Sequence, residues 1–515
     1  MVFFVSVSIT LLFVLWGIVF PENMADKMQQ GLDFIIQTFG WFYLLSTIVF
    51  VVFIIYVGFG RYGKIKLGED EDEPEYGFFT WLAMLFSAGM GIGLVFWGVA
   101  EPMYHFLTPP EGGAPETIEA AQVALRYSFF HWGLHPWAVY AVIGLTLAYY
   151  RFRKGEPGLI SVTFRPLIGD RVHGPIGKSI DSLAIIATVF GVATSLGLGA
   201  LQINGGIAYV SGIANNINVQ ILIILVVTVL YILSATTGLN KGIRILSNVN
   251  LSIATALLLF VLILGPTLFI IDNFTATLGR YFWNLIPMSF RLTPFKGSDW
   301  IGSWTLFYWA WWIAWAPFVG TFIARISKGR TIKEFIMGVL LVPSTLAALW
   351  FATFGGVALY LEMFQNVPIA KAVNNDITSA LFITLEQFPL GTLLIIVAIL
   401  LIVTFFITSA DSATFVLGIL STQGVLNPSN TIKIVWGVLQ SGIAVVLLWS
   451  GGLGGLQTAS IIAALPFAVI MLGMCVSLNK ELKEELHREK QNEKRKLHRL
   501  EQMLAQYLSD IDDAK

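Results

Sequence analysis

Trp132, Trp137 and Tyr140 stand five and three residues apart in the stretch HWGLHPWAVY (131–140), inside a membrane-length apolar run. At roughly 100° per residue they fall within about 140° of one helix face. Trp311, Trp312 and Trp315 form a second cluster, spread over roughly 100° of its helix. Aromatic faces attract cations, by up to ~2 kcal/mol per contact where the site is dry, and a tetra-alkylated ammonium benefits most. A primary amine would be served as well by a carboxylate, so rings in place of acids favour a methylated cation. Tryptophan's preference for membrane interfaces accounts for Trp16, Trp41 and Trp300. It accounts poorly for Trp137 and Trp312, which lie in mid-span.

Other residues with chemical potential are fewer. His131 and His135 sit at i and i+4, a metal-compatible spacing, but no third ligand of matching character stands out and packed polar residues are the better reading. Glu101 lies at the end of an apolar run and reads as a helix cap or loop anchor. Asp411 is deeper, and an intramembrane acid is a functional candidate by default. It either supports the neighbouring hydroxyls or faces water on the inner side. The sequence GMGIG superficially matches a dinucleotide loop, but it lies mid-span with no strand before it. No nucleophile–base pair or metal set points to an enzyme.

The elements that must carry these residues follow from composition. Of 515 residues, 56% are hydrophobic and only 12% charged, against about 25% charged in soluble domains. The apolar residues gather in runs near the ~20 residues that cross a bilayer as a helix. Backbone groups in lipid must be satisfied internally, and the alternating pattern of a barrel is absent. The chain therefore reads as an all-α polytopic membrane protein. The net charge of −1 points to no nucleic-acid or other polyanionic partner, and the single Cys475 excludes an internal disulfide or thiolate cluster. The first twenty residues lack a basic n-region and a small-residue cleavage site, so they read as the first span.

Twelve transmembrane helices are expected, near 3–20, 34–58, 78–100, 129–150, 182–207, 218–236, 248–271, 303–324, 335–361, 390–418, 432–450 and 458–478. With both termini inside, sixteen Lys and Arg fall in inner loops and six in outer loops, as the positive-inside rule requires of cytoplasmic termini. LGEDEDEPEYG (67–77) reads as a solvated acidic link, 272–290 as an interfacial amphipathic helix, and the chain from Asn479 as a charged helical cytoplasmic tail. The organisation is two N-terminal helices and link (1–77), a first five-helix repeat (78–271), the interfacial helix and outer loop (272–302), a second five-helix repeat (303–478) and the tail (479–515).

The repeats rest on paired irregularities. Gly89, Gly91 and Gly93 alternate in the third span, each costing a helix about 1 kcal/mol relative to alanine. Pro317 and Gly320 are expected to interrupt the eighth. Gly91 and Pro317, and likewise Thr188 and Thr408, are separated by nearly equal lengths of chain. Five spans per half make the halves inverted, and broken helices at equivalent places mark a transporter's midplane site. The competing reading is that these glycines only allow close helix packing.

GMGIGLVFWGVAEP, HWGLHPWAVY, ATSLGLGALQ and WAWWIAWAPFVGTFIARISKGR closely resemble the betaine/choline/carnitine transporter (BCCT) family over all twelve spans. The resemblance implies a LeuT-type inverted-repeat core after two extra helices, and a homotrimer formed with help from the helix near 272–290. It implies a trimethylammonium box of Trp132, Trp137, Tyr140 and Trp312, flanked by Trp311 and Trp315. It implies a sodium site with carbonyls of Ser87, Met90 and Phe405 and hydroxyls of Thr408 and Ser409. A second sodium position would use Thr188, Phe318 and Tyr140, but Val192 stands where a further threonine is expected, with Thr194 or Ser195 as substitutes. Sodium-independent members carry an arginine where 246–259 here holds no basic residue, which supports sodium as the coupling ion, with no other cofactor. Choline-preferring members often carry an acid in the glycine motif, and Gly93 keeps it all-glycine. The expected function is sodium-coupled import of glycine betaine across the plasma membrane for osmotic protection, the substrate carboxylate lying near the Gly89–Gly93 amides. Choline, carnitine or ectoine-like solutes are the alternatives, and a channel is the remotest. The basic run KRK (494–496) offers the tail a contact with anionic lipid.

Overall fold

The structure, a computed structural model, describes all residues except 90, 238–239, 296–298 and 514–515, and all side chains except those and 88–89, 240–244, 505 and 507–513. The expected ligand Met90 therefore lies outside the described residues, and Gly89 is described only as the last residue of α3. The helices are α1 (Val2–Val19), α2 (Pro21–Phe59), α3 (Phe78–Gly89), α4 (Ile92–Leu107), α5 (Ile118–Trp132), α6 (Leu134–Ala148), α7 (Arg165–Ile168), α8 (Pro175–Ser211), α9 (Ile217–Thr237), α10 (Asn240–Leu264), α11 (Thr267–Ser289), α12 (Asp299–Ile301), α13 (Phe307–Ile326), α14 (Ile332–Gln365), α15 (Ile369–Asn375), α16 (Ala380–Glu386), α17 (Gly391–Ser421) and α18 (Asn430–Asp513).

Among the described residues nine helices are long and apolar enough to span a membrane, and ten when α3 and α4, bent by 64°, count as one broken span. Gly452, at φ +55, divides α18 into the expected eleventh and twelfth spans. Helix α6 continues through a π-helical turn, Tyr149–Arg153, to make the fourth. Each of the twelve expected spans thus has its helix. Helices α8 and α13 are largely enclosed, with α8 packed on α17, α18 and α13, and α13 packed on α6. Helices α1, α9 and α10 leave most of their surface outside.

Four expectations need correction. The seventh span stops at Leu264, before Gly265–Pro266, because proline lacks the N–H that would continue the helix and constrains the residue before it. The expected interfacial helix therefore begins at Thr267 and not at 272. The tail is no separate helix: α18 runs without interruption from the twelfth span through Asn479. The acidic link is not simply solvated. Leu67 is buried, its N–H donates to Arg330 O at 2.8 Å, and its carbonyl accepts from Gly329 N at 2.8 Å. Finally, α13 passes through Pro317 and Gly320 unbroken. A Cβ on Gly320 would come within 2.5 Å of Ile143, so the close-packing reading holds for that glycine, and the paired breaks reduce to the one in the third span.

The two chain ends lie on one face. Phe3 packs edge-on against Trp436 near the start of α18, at 6.2 Å between ring centroids. On that face Gly424, in the loop before α18, lies against Pro157 and Leu159. The tail docks there too. Arg153 binds Asp70 at 2.8 Å, Glu489 at 3.3 Å and Glu485, while Lys154 binds Glu481 and Glu485 at 3.0 Å each. Tyr149 adds a hydroxyl donor to Glu485.

Candidate substrate cavity

The spacing argument for the first aromatic cluster assumed one helix, and the structure replaces it with two. Trp132 is the last residue of α5, Gly133 breaks the chain direction (φ −91°, ψ −131°), and Trp137 and Tyr140 lie on α6. Only glycine fits at 133, where a Cβ would sit 2.5 Å from Phe129 O and 2.8 Å from the Tyr281 hydroxyl. That hydroxyl accepts the Leu134 N–H at 3.1 Å, satisfying one of the free donors at the start of α6. The rings still converge, because the break turns Trp132 back toward α13.

Trp132 meets Trp312 edge-on at 4.8 Å, Tyr140 meets Trp312 at 6.1 Å, and Trp137 meets Tyr140 at 5.3 Å. Trp311 stacks on Trp312 at 4.7 Å. Three indole N–H groups are tied back into the protein: Trp132 to Glu101 Oε2 at 2.9 Å, Trp312 to His131 O at 3.0 Å, and Trp315 to Gly191 O at 2.6 Å. Those three N–H groups are thereby satisfied by the protein itself.

All six rings, with Gly91 and Gly93, line one cavity of about 850 Å³. A Cβ on Gly93 would lie 2.5 Å from Trp311 and 3.1 Å from Trp132, so a side chain there would force the two walls apart. Gly91 has extended backbone and begins α4, whose first N–H groups have no helical acceptor and carry the positive end of the helix dipole. The cavity continues past Asp411, Arg151, Arg325, Asn427 and Lys433, residues of the face that holds both chain ends. Behind Trp132 and Trp312 further rings pack together: Trp97 lies 5.2 Å from Trp304 and 6.1 Å from Tyr308.

Ser87, Phe405, Thr408 and Ser409 of the expected first sodium site all line this cavity. Ser87 comes to it from α3, which packs on α14 and α13, and the other three from α17, which packs on α8, α9 and α10. The Thr408 hydroxyl shares its proton with Thr404 O at 3.0 Å and Phe405 O at 3.3 Å, and accepts from Asn250 Nδ2 at 3.3 Å. These are the oxygen donors a hard cation takes. Of the second expected position, Tyr140 and Phe318 line the cavity. Thr188 is buried within α8, donating to Ala184 O at 2.7 Å. Ser195 also lines the cavity, whereas Thr194 is engaged by Ser460 at 2.7 Å.

Glu101 departs from the sequence reading, whereas His131, His135 and Asp411 match it. Glu101 is neither cap nor loop anchor: it is fully buried within α4 and binds His131, His105, Trp132 and Tyr308. His131 and His135 do not converge, since His135 faces Ser289 at 3.0 Å. Asp411 faces the cavity and accepts from Ser234 Oγ at 3.0 Å. Ser247 and Asn250 join the cavity lining from α10, in the stretch singled out for its lack of a basic residue. Tyr308, stacked on Trp312 at 5.7 Å, was legible as the residue one turn before it.

A profile described as "BCCT, betaine/carnitine/choline family transporter" matches residues 1–487. The glycine betaine transporter OpuD of Bacillus subtilis (strain 168) is 52% identical over 495 residues, covering 96% of both chains. The ectoine/hydroxyectoine transporter of Virgibacillus pantothenticus is 51% identical over 482 residues, covering 93% of this chain and 96% of that one. A probable glycine betaine transporter of Desulfitobacterium hafniense (strain Y51) is 49% identical over 487 residues, covering 94% and 97%.

Proposed function

The chain belongs to the betaine/carnitine/choline family of transporters, and from that premise we propose that it imports glycine betaine together with sodium across the plasma membrane, for protection against osmotic stress. The observation that carries this reading is the convergence of Trp132, Trp137, Tyr140 and Trp312 on one cavity. A trimethylammonium group has no proton to donate, so electron-rich faces serve it better than acceptor oxygens. Its carboxylate lies at the start of α4, near the Gly91 and Gly93 backbone, where free amides and the helix dipole favour an anion.

In this reading both termini are cytoplasmic, and the cavity, open on their face, represents the state that releases solute inward. Sodium enters from outside and draws Ser87 toward Thr408 and Ser409, ordering the broken third span and favouring the outward-open state. A ligand shifts such an equilibrium only by its differential affinity for the two states. A site built from two elements that part in one state supplies that difference. Helix α11 exposes Leu268, Phe282, Trp283 and Ile286, an apolar face suited to the homotrimer contact.

Uptake of radiolabelled betaine into proteoliposomes, with sodium or potassium outside, tests the proposal. Saturable accumulation that requires sodium is expected; accumulation unaffected by the swap refutes symport. The similarity to an ectoine/hydroxyectoine transporter favours a second reading, in which the box takes a planar, delocalised cation. Competition by betaine, ectoine, choline and carnitine in the same assay separates these, and the strongest competitor names the substrate.

A further inference from the structure

We propose that Glu101 is the positioning residue of the aromatic box, acting as an ionised carboxylate that fixes the Trp132 ring and enriches its π face. The inference rests on the reading of the box as a quaternary-ammonium site. Glu101 and His105 lie on α4, His131 and Trp132 on α5, and Tyr308 on α13. The carboxylate joins all three helices from a position with no solvent access.

Both imidazoles are taken in the tautomers that point their N–H groups at the carboxylate. Glu101 Oε2 accepts from Trp132 Nε1 at 2.9 Å and from the Tyr308 hydroxyl at 2.5 Å. Its Oε1 accepts from His131 Nδ1 at 2.7 Å and His105 Nε2 at 3.3 Å. With its proton on Nδ1, His131 uses Nε2 to accept the Thr305 hydroxyl at 3.0 Å. In these tautomers four donors match the roughly four lone-pair sites of an ionised carboxylate. Burying a carboxylate costs several kcal/mol unless it is paired and hydrogen-bonded. Its retention here, beside a box already built of rings, calls for a return on that cost. Glu101, His105 and His131 also have the donor types of a divalent-metal site, but Trp132 and Tyr308 occupy the second carboxylate oxygen and Thr305 the far nitrogen of His131.

That return lies in what the carboxylate holds. Trp132 forms a box wall 4.8 Å from Trp312, and Tyr308 stacks on Trp312 at 5.7 Å. An indole that donates its N–H to an anion is polarised toward its ring, and a richer ring attracts a cation more strongly. Charge-assisted hydrogen bonds are also the shorter and stronger kind, so the ring plane is held firmly. Glu101 touches no substrate. It acts through Trp132 and Tyr308, from the opposite side of the rings.

The test is betaine affinity, read from quenching of intrinsic tryptophan fluorescence in the purified full-length protein, for wild type, Glu101→Gln, Trp132→Phe and the double variant. Glutamine keeps the size but presents an amide N–H to groups that are themselves donors. Its expected effect is a Kd raised tenfold or more, with uptake showing a raised KM and a smaller change in kcat. Trp132→Phe keeps a π face and removes the N–H, so adding Glu101→Gln to it is expected to cost no more than a further twofold. Glu101→Asp, which restores the charge, recovers part of the affinity. Wild-type affinity in Glu101→Gln, or an undiminished tenfold loss in the Trp132→Phe background, overturns the inference. If Glu101→Gln does not reach the membrane, Tyr308→Phe, which removes one donor and spares the carboxylate, is expected to weaken betaine about threefold, and unchanged affinity there overturns it equally. A wild-type protein that binds no quaternary ammonium refutes the box itself; wild-type binding with an unaltered Glu101→Gln refutes the network alone.

Discussion

Replacing Trp312 by leucine removes a ring that four others face, Tyr308 among them at 5.7 Å. Trp132, Trp311 and Tyr140 approach it at 4.8, 4.7 and 6.1 Å, and its indole N–H holds His131 O at 3.0 Å. The ring is almost wholly buried and lines the cavity, so a bound cation would meet it largely desolvated. A desolvated cation–π contact is worth about 2 kcal/mol, and each 1.4 kcal/mol is about tenfold in affinity. Trp312→Leu should therefore raise the half-saturation constant for betaine roughly 30-fold. Trp312→Phe retains a smaller π face, loses the bond to His131 O, and should fall between, at roughly fivefold. The assay is initial uptake rate against betaine concentration in proteoliposomes at fixed sodium. Protein reconstitution is scored separately, so that loss of folding is not mistaken for loss of affinity. If Trp312→Leu leaves both the half-saturation constant and the maximal velocity intact, the rings do not hold the substrate and the proposed chemistry is wrong.

Three further outcomes follow from particular contacts. Gly93→Ala places a Cβ 2.5 Å from Trp311 and 3.1 Å from Trp132, and uptake should fall at least tenfold while the protein still assembles in the membrane. Thr408→Val removes a hydroxyl from the cavity lining and should shift the sodium dependence of uptake to at least fivefold higher concentration, with less effect on affinity at saturating sodium; an unchanged sodium curve argues against that site. The third concerns the docked tail. Burial pushes the Glu485 carboxyl upward, but hydrogen bonds from Tyr149, Lys154 and Arg153 outweigh it and hold the group below its ordinary value. A depressed acid stabilises docking above the unperturbed pKa, about 4.3 for glutamate, and that contribution is lost as pH falls through the depressed value. Hydrogen exchange in residues 479–500 should thus show steady protection from pH 8 to about 5 and loss only below the ordinary glutamate range, whereas Glu485→Gln should be looser throughout.

Much of the helix plan was legible because lipid leaves the backbone so few choices. Apolar run length located a helix for each expected span among the described residues. The breaks were harder to read. Three alternating glycines announced the bend between α3 and α4, but Pro317 announced a break that does not occur, because a proline can be carried within a helix enclosed by its neighbours. Gly133 gave no such signal: a single glycine in an apolar run is common, and its necessity lies in Tyr281, far away in the chain. The box residues were visible as types and spacings. What could not be read was the acid behind them, since Glu101 looks like a span-end residue until α5 and α13 are folded around it.

The docked tail and the aromatic cavity belong to opposite ends of a single rod. Residues 134–153 run as helix and π-helical turn without a gap, roughly 30 Å at 1.5 Å per residue. Trp137 and Tyr140 project from its first turns, and Arg153, clasped by Asp70, Glu485 and Glu489, terminates it. A tug on the charged tail cannot dissipate in a loop before it arrives: either the carboxylates release the guanidinium, or the shaft itself shifts and the two rings travel with it.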